Sequence, residues 1–203
     1  MVAMFISGIV VAGVSTFLVS MTRWATQASA AVSAVDQDKL AVGGIDRQVT
    51  SALTIYDPST EGADAGQNAD GTPIPAGFSL RVYTESNGSY QCEQWRLLDT
   101  GQLQSRTWQP YWTSGLPVTP WSLLASGIDN PASDPPFLLD TSPGFGGPGT
   151  SGAPNNGRLL DIVIVANASP NPGGSLRLTS SVDGRDIGYL PTDANACSTI
   201  PPA

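Results

Sequence analysis

Side chains able to do bond-making chemistry are scarce in this sequence, which contains no histidine. Histidine is the commonest general base and a frequent metal ligand, so a Ser-His-Asp triad is excluded. No Gly-rich loop leads into Lys-Ser or Lys-Thr, which excludes a phosphate-binding loop of that kind. We therefore predict that the protein is not an enzyme and binds neither a cofactor nor a metal.

The charge balance disfavours a nucleic-acid partner. The chain of 203 residues has a formal net charge of -8, with 17 acidic residues against 9 basic ones. Binding to a phosphate backbone relies on Lys and Arg to neutralise the phosphates. We therefore predict no nucleic-acid binding from charge.

Two groups of acidic residues could suggest a calcium loop or a pair of carboxylates, but neither group predicts a site. The segment QNADGT at 67–72 faintly resembles a calcium loop, but Gly66 and Gly77 stand at the first and twelfth positions, where acids are needed. Asp36 and Asp38, two residues apart on a helix, point to different sides. We expect both to lie on a solvated polar face.

Aromatic residues are concentrated in one part of the sequence. They are Trp95, Trp108, Tyr111, Trp112 and Trp121. Exposed together, such rings could stack on sugars or bases. The other interpretation, which we favour, is that they pack in a sheet core and under loops.

The two cysteines, Cys92 and Cys197, fit no zinc or iron–sulfur spacing. In an oxidising compartment they would pair and close a loop of about a hundred residues, which stabilises by roughly 4–5 kcal/mol through chain entropy. The alternative is two buried free thiols.

The first 22 residues carry no charged side chain. As a helix they would be roughly 32 Å long, which matches a bilayer core and exceeds the apolar part of a cleaved signal. We predict an uncleaved membrane helix over 1–22, with the body of the protein outside and with Arg23 and Trp24 at the membrane interface. The residues predicted to face lipid or other helices are Met1, Val2, Phe5, Gly8, Val11, Ala12, Gly13, Phe17 and Met21.

The helix is predicted to continue as an amphipathic half over residues 23–57. Val35, Val42 and Val49 recur every seven residues, as one buried face of a helix requires. Gly43-Gly44 is expected to kink or weaken the helix, and Pro58 is expected to end it. Residues 58–77 read as a connecting loop.

Residues 78–203 are predicted to form an extracytoplasmic antiparallel sheet. Segments in which apolar and polar residues alternate indicate strands at 78–85, 89–99 and 102–109. Weaker strand candidates lie at 121–125 and 136–140. Residues 158–167 and 175–182 complete the set. Residues 141–157 read as a Gly/Pro-rich loop, and NPGG at 171–174 as a turn. The predicted fold class is α+β: one long helix packed on an antiparallel meander.

An apolar helix that runs into an amphipathic one, followed by a sheet and a C-terminal cysteine, resembles the type IV pilin and pseudopilin superfamily. The likeness is to minor pilins of Gram-positive, GC-rich bacteria, and it covers nearly the whole chain. Its specific stretches are VAMFISGIVVAGVSTFLVSMTRW, DRQVTSA at 46–52 and YQCEQWRL at 90–97. The basic leader, the Gly-Phe-Thr-Leu-like junction and the early glutamate of such prepilins are missing. We expect them to lie upstream of Met1, because the start is misplaced or the chain truncated.

The resemblance implies a structural role in a type IV pilus or a type II secretion-like filament. Other pilin subunits would be partners through the N-terminal helices. The lipid membrane, an assembly platform and, for a longer N-terminus, a leader peptidase would be further partners. The implied location is a single-pass membrane protein that assembles into a cell-surface filament, or fimbrium. The alternative is a signal-anchored extracellular binding domain of a lectin-like or adhesin kind.

Overall fold

The computed structural model describes residues 2–61, 66–140, 159–167, 175–184 and 195–202, without the side chains of residues 2–7, 9–11, 30 and 31. These residues form an α-helix, α1 (Val2–Thr50), a short 3-10 helix (Pro58–Thr60) and eight strands. The strands are β1 (Ala52–Ile55), β2 (Ser79–Ser86), β3 (Ser89–Leu97), β4 (Gln102–Trp108), β5 (Ser122–Ser126), β6 (Phe137–Asp140), β7 (Leu159–Asn167) and β8 (Ser175–Asp183).

The helix α1 continues through Gly43 and Gly44 and ends at Thr50. This end is earlier than the sequence indicates, because residues 52–55 leave the helix to pair antiparallel with β2. Thr54 and Ile55 are β-branched, which favours a strand over a further helical turn. The chain therefore turns straight from the helix into the sheet that the helix covers.

The predicted α+β class, with the helix packed on one antiparallel meander, is wrong. The strands form two separate antiparallel sheets, ordered β1-β2-β3-β4-β5 and β6-β7-β8, and sheet dominates the fold. After β5 the chain passes through Pro131, Pro135 and Pro136, which cannot donate ladder hydrogen bonds. β6 therefore starts a new sheet, which is joined to the first where Asp129 N donates to Val165 O at 2.7 Å.

Local turn chemistry sets the register of the five-stranded sheet. Asn87 and Gly88 adopt φ values of 52° and 75°, as a two-residue hairpin requires, and Ser86 pairs with Ser89 beside them. Gly101 ends the next hairpin at φ 74°, and a Cβ there would lie 2.4 Å from Ile128 O. Glycine is therefore required at 101 both by conformation and by close approach of the backbone.

One apolar core joins α1 to both sheets. Its largest fully buried side chains are Trp95, Phe137, Ile45, Ile74, Leu80, Leu97, Leu103, Leu160, Ile162 and Ile164. A second, smaller cluster lies around Cys92, Trp108 and Cys197. The predicted loop at 141–157 and the predicted turn at 171–174 lie outside the described residues.

Candidate functional site

The helix α1 has two halves with different surroundings, and this contrast defines the candidate site. Ala41, Ile45 and Val49 are buried in the core of the β domain. Residues 12–29, in contrast, are all exposed. With 49 residues at ~1.5 Å each, the helix is about 74 Å long, so its N-terminal part extends far beyond the domain.

Polar contacts fix the docked half at its C-terminal end. Ser180 Oγ on β8 donates to Asp46 Oδ2 at 2.9 Å. Thr84 Oγ1 on β2 donates to the carbonyl of Gln48 at 3.0 Å and lies 2.8 Å from Ser51 Oγ. These bonds satisfy a carbonyl of the last helical turn and hold the helix against both sheets.

The exposed half carries large apolar side chains in solvent. They are Val14, Phe17, Leu18, Val19, Met21, Trp24 and Val32, each more than half exposed. Single exposed apolar residues are ordinary, but a contiguous set of this size marks an interaction surface. Covering a side chain of this kind contributes roughly 1.5–3 kcal/mol.

The predicted helix-contact residues divide between described and undescribed parts of the chain. Gly8, Ala12, Gly13, Phe17 and Met21 are exposed on α1. Met1 and the side chains of Val2, Phe5 and Val11 lie outside the described residues. The predicted interface pair, Arg23 and Trp24, is also exposed, with Trp24 at 66%.

Within the described residues, no helical segment combines the length and the apolar character needed to cross a bilayer. The membrane helix predicted over residues 1–22 remains a prediction, since Met1 and the side chains of residues 2–7 and 9–11 lie outside the described residues.

Asp38 is buried on α1, which contradicts the expectation of a solvated residue. Its side chain is only 1% exposed, and neither carboxyl oxygen has a hydrogen-bond partner in the described residues. Burial raises the pKa of Asp38 to about 6 because desolvation disfavours the charged form. Its neighbour Asp36 is exposed as expected, so the two acids do point to different sides of the helix.

Glu93 on β3 is a second acid with a raised pKa. Burial raises the pKa of Glu93 to about 7, and a hydrogen bond from Gln91 partly offsets this. Glu93 Oε2 is a buried oxygen without a partner in the described residues. Among the described residues, Asp38 and Glu93 have raised pKa values that make stability depend on pH near neutrality.

The C-terminal segment is bound to the outer face of the five-stranded sheet. A disulfide joins Cys92 on β3 to Cys197, 105 residues apart. Arg81 Nη1 donates to Cys197 O at 2.7 Å, and Cys197 N donates to Tyr56 Oη at 3.0 Å. The same guanidinium group pairs with the buried Glu61 at 2.6 Å, so covalent and charged contacts reinforce one another.

Arg106 on β4 binds the end of the same segment. Its Nη1 and Nη2 donate to the carbonyls of Pro202 and Pro201, each at 3.0 Å, and its Nε and Nη2 donate to Gln94 Oε1. Arg106 is 3% exposed, and burial, with the nearby charge of Arg96, lowers its pKa to about 10. A charged hydrogen-bond donor thus satisfies carbonyls that a short tail could not pair internally.

The aromatic residues do not form one open platform. Trp95 lies in the main core and Trp108 in the disulfide cluster, with Trp112 packed against the latter. Trp121 stacks with Arg96 and Arg106, whose guanidinium carbons lie 3.8 and 4.4 Å from its ring centre. Tyr111 is the exposed member at 56%. The set is therefore mainly structural, as favoured from the sequence.

The segment at 67–72 forms a tight turn. Asp70 accepts hydrogen bonds from the backbone N–H and the hydroxyl of Thr72, and these lower the pKa of its carboxyl. Across the described residues, no group of three or more His, Cys, Asp or Glu residues is placed to hold a metal.

A cleft of about 180 Å³ lies where the two sheets join. It is lined by Asn68, Pro75, Phe78, Leu97, Leu98, Asp99, Ile128, Asp129, Asn130 and Ala132. Its apolar lining comes from the core, and Asn130 is already bonded to the carbonyls of Asp134 and Val163. The cleft is small for a specific ligand site, which usually measures about 300–1,000 Å³.

No family model matches the sequence, and no curated protein shows significant similarity to it. The pilin resemblance therefore remains a prediction.

Proposed function

We propose that this protein is a structural subunit of the minor-pilin or pseudopilin type, which assembles into a filament through its N-terminal helix. The supporting observation is the division of α1 into a docked half and an exposed apolar half. Other subunits would cover the exposed half.

The physical argument concerns apolar surface. Phe17, Met21 and Trp24 are exposed on a helix whose other end is packed on the β domain through Ile45 and Val49. Association that buries these side chains gains hydrophobic free energy without a folding cost, because the helix is already formed. A subunit built in this way adds to others along the helix and leaves its β domain outside.

An extracytoplasmic location is part of the proposal. The Cys92–Cys197 disulfide supports it, since such bonds persist in oxidising compartments. The low content of charged residues in the first half of α1 suits contact between helices. Assembly as proposed does not depend on a single-pass anchor.

The test is the assembly state of the purified full chain. The protein is kept dispersed in mild detergent, the detergent is removed, and the products are followed by sedimentation velocity and negative-stain electron microscopy. We expect elongated assemblies of defined width. Monomers that stay dispersed without detergent would contradict the proposal.

The alternative function, an extracellular binding domain, predicts that monomeric outcome. Its site would be the cleft between the sheets, with Asp99 and Asp129 among the lining residues, although the volume of about 180 Å³ is below the usual range for ligand sites. Chemical-shift changes at the cleft on titration with small sugars or amines would support it.

A further inference from the structure

The exposed half of α1 is apolar on one side only. At 3.6 residues per turn, successive residues are about 100° apart, so positions can be placed around the axis. Between residues 12 and 33, eight residues fall within one arc of roughly 120°. They are Val14, Phe17, Leu18, Met21, Trp24, Ala25, Ala28 and Val32, all exposed. We name this set the exposed stripe.

The rest of the circumference between residues 12 and 33 is small or polar, apart from Val19. The polar members include Ser15, Thr16, Ser20, Thr22, Arg23, Thr26, Gln27, Ser29 and Ser33. Thr16, Ser20 and Thr22 donate their hydroxyl groups to carbonyls of their own helix.

The exposed stripe and the docked part of α1 occupy different lengths of the helix. Ala41, Ile45 and Val49, which are buried in the core, lie roughly 120° around the axis from the centre of the stripe, but Val42 and Asp46, which also contact the β domain, fall within the arc of the stripe. The stripe ends at Val32, and the first buried residue in the described part of α1 is Asp38. A second helix can therefore cover the stripe over residues 14–32 without displacing the β domain.

We propose that the exposed stripe is the contact face for the helix of a second copy of this chain, and that the opposite, polar face remains uncovered by helices. This inference rests on the proposed function and adds which side of the helix makes the contact. A stripe about 120° wide is the width expected of a helix face that packs on other helices. The stripe carries no charged side chain, so the stripes of two copies can pack against each other without burying a charge. The polar face, in contrast, carries Arg23.

The structure offers a matched pair of positions for the test. Phe17 lies on the stripe and is 58% exposed, and Val19 lies about 160° away and is 51% exposed. Each is replaced in turn by the photoreactive residue p-benzoylphenylalanine in the otherwise unchanged full chain. The assembled protein is irradiated, covalent dimers are quantified, and the linked peptides are identified by mass spectrometry.

We expect position 17 to give at least fivefold more covalent dimer than position 19, with linked peptides from residues 12–33 of another copy. Equal yields at the two positions would overturn the inference, because they would mean that the helix has the same surroundings on all sides and no preferred contact face. Links from position 17 to the β domain of another copy would overturn it as well.

A second measurement separates this inference from the proposed function. Met21→Ser on the stripe and Val19→Ser off it are compared with the unchanged chain by sedimentation velocity. Circular dichroism and an intact disulfide confirm that each variant is folded. We expect Met21→Ser to raise the concentration needed for assembly about tenfold and Val19→Ser less than twofold. If both variants assemble like the unchanged chain, the stripe is wrong and the proposed function stands. If the unchanged chain does not assemble, both fail.

Discussion

At the scale of single residues, Asp38 is the most unusual position because its carboxyl group is buried without a partner. A native pKa of about 6, against 3.8 for the ordinary group, means that the folded state binds the proton more tightly. The stabilisation that the protonated Asp38 contributes to the folded state is complete below about pH 4 and is lost as the pH rises through 6.

We predict that Asp38→Asn stabilises the protein at pH 7.5 by about 1–3 kcal/mol, because one pKa unit corresponds to about 1.36 kcal/mol. Urea unfolding from pH 4 to 8 measures this. The unchanged chain loses stability across that range, and the variant loses less. Some dependence remains in the variant, since Glu93 still titrates near 7. Asp36→Asn, at an exposed site on the same helix, is the control for removing a carboxyl group, and an equal stabilisation in both variants would contradict the role of burial.

Arg106 is the second residue whose role is measurable. Arg106→Lys keeps the charge but cannot make the four hydrogen bonds to Gln94, Pro201 and Pro202 at once. We predict a loss of about 1–3 kcal/mol in the free energy of unfolding. The exposed Arg47→Lys is the control, and an equal loss in both variants would contradict the assigned role.

These buried contacts could not be predicted from the sequence. Arg106 and Pro202 are 96 residues apart, and Arg81 and Cys197 are 116 residues apart. No local pattern distinguishes an arginine that will bind a distant carbonyl from one in solvent. The short-range features that fix local geometry, such as Asn87-Gly88 in its hairpin, were predictable because the turn requires them.

At the scale of elements, the docking of α1 depends on a few fully buried side chains. We predict that Ile45→Ala costs about 2–5 kcal/mol, as expected for a large-to-small change in a core. Leu40→Ala, on the exposed side of the same helix, is expected to cost less than about 0.5 kcal/mol. Thermal and urea unfolding compare them, and a large effect of Leu40→Ala would show that an unrecognised surface covers that side.

The strands show which features of a sheet the sequence patterns predict and which they do not. Seven strands were located within one to two residues by alternation and turn residues, yet β1 was missed and the break into two sheets was not foreseen. β1 has only four residues, and its strand state depends on pairing with β2, which lies more than 20 residues away. Alternation indicates that a strand exists but not which strand it pairs with. The class was therefore mistaken although most elements were right.

The covalent link between β3 and the C-terminal segment gives a further prediction. Replacing both Cys92 and Cys197 by serine removes the loop closure and leaves two buried hydroxyl groups. We predict a loss of about 4–5 kcal/mol, the chain-entropy value for a loop of about a hundred residues. Equilibrium unfolding measures the change, and hydrogen exchange shows whether residues 195–202 lose protection first. A loss below about 1 kcal/mol would mean that Arg81 and Arg106 suffice to hold the segment.

At the scale of the whole molecule, the proposed assembly brings together chains of net charge -8. The exposed stripe is uncharged, so attraction between copies is hydrophobic and repulsion comes from the acidic body. Salt screens the repulsion, because the Debye length falls from about 30 Å at 0.01 M to about 8 Å at 0.15 M. The attraction is not weakened by that change.

We therefore predict that assembly of the full chain strengthens severalfold when NaCl is raised from 10 to 150 mM at pH 7.5, as measured by the concentration at which sedimentation first shows large species. Lowering the pH towards the pI of 4.2 acts in the same direction, because it removes net negative charge. Met21→Ser is expected to keep the same salt dependence at a higher threshold, since it alters only the apolar contact. If salt dissolved the assemblies instead, ion pairs would have to dominate the contact, and the uncharged stripe could not be the face that makes it.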